Sequence, residues 1–96
     1  MKKAYWVAHV DVERPDPYAI YAKAATECFL KYGGKPLARG GATKQLEGHA
    51  RSRNVVIEFE DMEKALACYY SPEYQAAKLH RDGNAVAELM IIEGVS

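Results

Sequence analysis

AYWVAHVDVERPDPYAIYAKAATECFLKYGG, residues 4–34, joins two different periodicities across one short link. Over 4–12, Trp6, Ala8, Val10 and Val12 alternate with Tyr5, Val7, His9 and Asp11, which predicts a strand with one apolar face and one mixed face. Asp16 has the chemistry of a helix N-cap and Pro17 suits a first helical position, so a helix is expected to begin there. Along it Tyr18, Tyr21, Ala22, Ala25, Phe29 and Tyr32 keep to one stripe, with Lys23, Glu27 and Lys31 away from it. Gly33 follows, suited to a left-handed helix cap.

The strand–helix pattern recurs. RNVVIEFE (53–60) alternates Val55, Ile57 and Phe59 with Val56 and Glu58, predicting a second strong strand. Asp61 can cap a helix through Met62, Ala65, Leu66 and Tyr69. Ser71-Pro72-Glu73 starts another, over roughly 72–81, and Asp82-Gly83-Asn84 stops it. AVAELMIIEG (85–94) supplies the last strand. Between the halves, KYGGKPLARGG (31–41) fits a short strand, 35–39, between glycine pairs, the second allowing a bulge or bend before a hairpin. A phosphate cradle needs a glycine loop running from a strand into a helix N-terminus, and this order is wrong for it. The order βαββαβ predicts an α+β, ferredoxin-like sandwich of one domain, 1–96, with spatial strand order 4-1-3-2 and the helices on one face.

Thirteen basic residues balance thirteen acidic ones, which argues against nucleic acid as a partner. The polar residues His9, Asp11, Glu13 and Arg14 interrupt the N-terminal apolar run, and AELMII is too short to span a membrane. Two cysteines without a CxxC motif fit a reduced, cytoplasmic protein.

Alternation assigns Trp6, Ala8, Val10, Val55, Ile57 and Phe59 to the helix-covered side. Tyr5, Val7, Val56, Leu37, Met90 and Ile92 then fall on the other side, a face too apolar to stand open. A homodimer packed sheet to sheet is the expected cover. The same face is expected to carry one polar residue per strand in the row Glu88, His9, Glu58, Arg39. Two readings stand side by side. In one, His9 carries a proton, Glu58 orients it and Arg39 holds an anion. In the other, these groups only pair with one another across strands at the interface.

His9, His49 and His80 show no metal-ligand spacing, so no metal and no cofactor are expected. Seven tyrosines are many for this length. Tyr18, Tyr21, Tyr32, Tyr69 and Tyr74 are expected between helices and sheet, as core lining or as walls of a small-molecule pocket in which Tyr21 or Tyr69 donates a hydrogen bond. Cys28 and Cys68 fall late in their helices and read as packing residues.

Taken together, YWVAHVDV, KYGGKPLARGG, LEG, RNVVIEF and ALACYYSPEYQAAK resemble the small bacterial family catalogued as domain of unknown function 1330, over essentially the whole chain. The resemblance implies a dimeric α+β barrel and brings no activity, cofactor or catalytic residue. Ala50 and Ser52 stand where members often carry tryptophan and proline, and Glu60-Asp61 where Pro-Ser is frequent. The same architecture is similar to that of small cofactor-independent oxygenases. Three functions are therefore open: a homodimeric small-molecule-binding protein or minor enzyme, a non-catalytic interaction module, and an oxygenase-like enzyme.

Overall fold

The computed structural model describes residues 2–96. Its elements are β1 (Ala4–Val12), α1 (Pro15–Lys31), β2 (Lys35–Arg39), β3 (Arg53–Phe59), α2 (Met62–Tyr70), α3 (Pro72–Arg81) and β4 (Ala85–Glu93). They form one four-stranded sheet in the order β2-β3-β1-β4, every neighbouring pair antiparallel. This is the predicted ferredoxin-like α+β arrangement. No helix among the described residues is long and apolar enough to cross a membrane.

Helix starts follow local chemistry, with one correction. Asp61 accepts from the Lys64 N–H and Ser71 from the Tyr74 N–H, as their capping chemistry predicts. α1, however, starts at Pro15 and not at Asp16-Pro17. Pro15 is itself suited to a first turn, having a fixed φ and no N–H to leave unpaired. Arg14 holds the cap position without a side-chain cap bond, and its Nη1 donates to the Gly83 carbonyl at 2.6 Å. Asp16 moves into the first turn, where its charge faces the positive helix end. At the other end, Gly33 takes φ 80°, in the left-handed region, as its place after Tyr32 predicts.

One sheet face is sealed by the helices. Trp6, Ile57 and Phe59 are 1% exposed or less, and Trp6 is ringed by Phe29 (4.9 Å between centroids), Tyr74 (5.0 Å), Tyr69 (5.8 Å) and Phe59 (6.1 Å). Tyr18, Tyr21 and Tyr74 are buried in the same layer, with Tyr32 and Tyr69 packed at its margin. The other face has no cover. Leu37, Val86, Met90 and Ile92 are exposed on it, and Val7 lies between Met90 on one neighbour and Val56 on the other.

β2 is irregular where simple alternation predicts regularity. Pro36 pairs with Ile57 and Ala38 with Val56, so Leu37 is an extra residue that the partner strand does not match. The bulge therefore lies within the strand, and Gly40 supplies the expected bend after it. Residues 40–52 then run as a long irregular connection that closes the hairpin of β2 with β3.

Candidate functional site

The row of four polar residues does not form. The register sets Asn54, not Glu58, opposite His9, and His9 Nδ1 lies 2.6 Å from Asn54 Oδ1. Glu58 is opposite Tyr5, whose hydroxyl donates to it at 3.3 Å, and Lys3 lies 3.7 Å from it. Glu88 does stand across from His9, but its carboxylate accepts from Arg51 Nε at 2.7 Å. Arg39 is on the other side of the sheet. The Leu37 bulge brings it opposite Val55, on the helix-covered face, and its Nη1 donates to Thr26 Oγ1 of α1 at 3.1 Å. The structure thus keeps His9 and Glu58 on the open face, two pairs apart along it, and brings neither to Arg39.

Arg51 instead ties the long connection to the sheet. Its guanidinium bridges Asp11, at 2.8 Å, and Glu88. Asp11 also accepts from the Ser52 N–H at 2.9 Å. A proline at position 52 would remove that N–H. The Ser52 N–H, with Arg51 beside it, holds the Asp11 carboxyl below its usual 3.8, and Arg51 holds Glu88 below 4.5. Carboxyls with depressed folded values bind protons at higher pH in the unfolded chain. Their anchoring of the connection is therefore complete above the ordinary carboxylate range and lost as pH falls through the depressed values. Carbon-detected NMR titration should give midpoints for Asp11 and Glu88 below ordinary carboxylates, and Arg51→Ala should raise both. Ordinary midpoints in the wild-type chain would refute the bridge.

The sheet's covered side holds a different polar cluster. α3 places Tyr74, Ala77 and Arg81 on one buried stripe, so an arginine at 9% exposure enters an otherwise apolar layer. Arg81 Nη1 donates to Tyr74 at 3.1 Å and to Tyr21 at 3.3 Å, and the two hydroxyl oxygens are 2.8 Å apart. The guanidinium carbon sits 5.1 Å from the Tyr21 ring centroid. Burial pushes both phenols above the ordinary range, so at neutral pH they are hydroxyls rather than phenolates.

This cluster borders a cavity of about 30 Å³ between α1 and the sheet. Arg39, Arg53, Tyr18, Tyr21 and Thr26 share its wall with Trp6 and Phe29. Arg53 lies over the Tyr18 ring at 5.7 Å, and its Nε is buried with no hydrogen-bond partner among the described residues. Gly40 is what lets the chain pass over this arginine. It has φ +70°, and a Cβ there would stand 2.5 Å from Arg53 Nη1. Tyr69 is placed elsewhere, on a groove of about 410 Å³ between α2 and β4 that meets the first cavity at Arg81. Of the predicted site residues, then, Tyr21 and Arg39 line one cavity, and Tyr69 is linked to it only through Arg81.

Sequence reasoning missed Arg53 and Arg81. Arg81 ends a helix, where a cation is accounted for by the helix dipole, yet its spacing of seven from Tyr74 signals a shared stripe. Arg53 opens a strand whose alternation with Val55 points it to the covered face. The cysteines do serve packing. Burial, reinforced by Glu73 for Cys28, raises both thiols, Cys68 to about 12, which leaves neither poised as a nucleophile.

Comparison with known proteins comes down to fold and family. A protein of unknown function from Rhodopseudomonas palustris superposes with a TM-score of 0.78 at 20% identity, over 99% of this chain and 84% of that one. SnoaB, described as a cofactor-independent oxygenase from Streptomyces nogalater, gives 0.71 at 9% identity, over 100% and 96%. A Bacteroides fragilis protein described as dimeric, ferredoxin-like and of unknown function gives 0.57 at 12% identity, over 96% of each chain. At these identities the likeness is one of fold. No curated protein matches the chain significantly. The profile of the domain of unknown function DUF1330 matches residues 3–95, and the chain belongs to that family.

Proposed function

We propose that the chain is a homodimeric small-molecule-binding protein whose ligand enters between α1 and the sheet. One observation carries the ligand site: a hydrogen-bonded Arg81–Tyr21–Tyr74 group is buried at the wall of a cavity in an otherwise apolar layer. Binding sites combine apolar walls with a few converging polar groups in this way. The uncovered sheet face supports the dimer, since apolar area of that kind is normally buried by a partner. The dimeric description of the B. fragilis protein of the same fold supports it further. His9 and Glu58 belong, in this reading, to the dimer face, while Arg39 and Tyr21 belong to the ligand site.

The oxygenase named for the S. nogalater protein supports a second reading, in which the bound molecule is also oxidised. Within it, neutral Tyr21 would serve as a hydrogen-bond donor to the ligand rather than as a base, with Tyr74 holding it in place.

Native mass spectrometry of the purified protein at micromolar concentration tests both parts of the proposal. The expected species is a dimer, and non-protein mass released on denaturation would identify a retained ligand. A monomer rules out the dimer. A dimer with no added mass, whose α1 and Arg81 resonances respond to no member of a fragment library, rules out the ligand site.

A further inference from the structure

Three arginines, Arg39, Arg53 and Arg81, border the cavity, and none of them lies within 4.0 Å of a carboxylate among the described residues. Exposure falls from Arg39, on the surface, through Arg53 to Arg81 in the core, so the charges mark a path inward. A buried cation without a counter-ion is costly, and most chains pair it or replace it. Elsewhere in this molecule the pairing is made: Arg51 holds two carboxylates.

The hydrogen-bond count leaves two donors unused at the same place. Arg53 Nε is buried and finds no hydrogen-bond partner among the described residues. Tyr74 is completely buried, and its only acceptor among the described residues is Tyr21, so Tyr74 donates to Tyr21. Tyr21 in turn has no acceptor for its own proton among the described residues, and it lines the cavity. Positive charge and unspent donors therefore converge on one space, and no carboxylate among the described residues answers them.

We infer that this cavity receives the carboxylate of a small organic acid, held by Arg53 and Arg81 with the Tyr21 hydroxyl as a third donor. The inference rests on the ligand site proposed above and adds the charge and kind of its ligand. A guanidinium fork matches a carboxylate's two oxygens. The volume, about 30 Å³, is that of a head group of a few atoms, so the remainder of the acid extends outward past Arg39. Thr26 holds Arg39 at the rim, where it meets an incoming anion first.

The test uses formate, the bare head group, with formamide as its neutral isostere and chloride to match ionic strength. Arginine Nε–H and α1 amide resonances of the intact, isotopically labelled protein are followed by NMR. Formate should shift Arg53 and Arg81 saturably, with formamide binding about ten-fold more weakly or less, as expected for loss of one charge-assisted contact. Arg53→Met and Tyr21→Phe should each weaken formate several-fold. Arg53 is only half-buried and Tyr21→Phe keeps the ring, so both variants test the site without the risk that attends Arg81→Met in the core. Chloride shifting these resonances as formate does, or both variants binding formate unchanged, would overturn the inference. If formamide saturates them as tightly as formate, the cavity is a small-molecule site without charge preference and only this inference falls. If neither molecule shifts them, the ligand site falls with it.

Discussion

Trp6→Ala is expected to destabilise the fold by about 3–5 kcal/mol, the range for removing a large buried aromatic. Trp6 is 1% exposed and touches rings from α1, α2, α3 and β3, so no single element can move in to close the space. Domains of this size hold roughly 5–15 kcal/mol in total, so the loss takes much of the margin. It corresponds to a fall in melting temperature of roughly 15–30 °C. Urea unfolding at fixed protein concentration measures it, with Leu79→Ala, at a site 71% exposed, as a control expected to change stability by less than about 0.5 kcal/mol. A Trp6→Ala loss below about 1.5 kcal/mol would mean that Trp6 is not the centre of the core.

Met90→Asp is expected to turn the proposed dimer into a monomer. Met90 is 55% exposed in the isolated chain and stands on the edge strand β4, across from Val7, on the uncovered face. In a two-fold assembly each substitution acts twice, and a carboxylate buried without a partner costs several kcal/mol. At about 1.4 kcal/mol per factor of ten, the dissociation constant should rise by roughly two to four orders of magnitude. Sedimentation velocity across a concentration series reads this directly. Leu79→Asp, on the outer side of α3, should leave the assembly intact. A Met90→Asp protein that sediments like the wild-type dimer would place the interface on another surface.

The elements were legible because each rests on its own local pattern. Alternation in β1 and β3 separates Trp6, Val10 and Ile57 from Val7, His9 and Val56 without reference to any neighbour. Asp61 and Ser71 announce their helices by capping chemistry. The candidate site was less legible, because register is a relation between strands that neither strand carries alone. His9 and Glu58 share a face, as alternation predicts, yet the pairing leaves Asn54 opposite His9. Arg39 was misplaced for a related reason. KPLAR has no glycine, and its Pro36 fits an edge strand as well as a bulge, so its composition does not single out Leu37 as unpaired. Arg81 shows a third cause, in which a helix-end cation has a ready local explanation and only packing reveals that it points inward.

The Leu37 bulge has a bearing on how homologous sequences should be aligned. Because Leu37 has no partner on β3, a relative lacking one residue between its glycine pairs can keep its arginine opposite the same valine, and the gap is structurally silent. A relative of equal length whose arginine is displaced by one position carries that charge through to the opposite surface of the sheet. The number of residues between the two glycine pairs therefore does not fix where the arginine ends up; its register against β3 does.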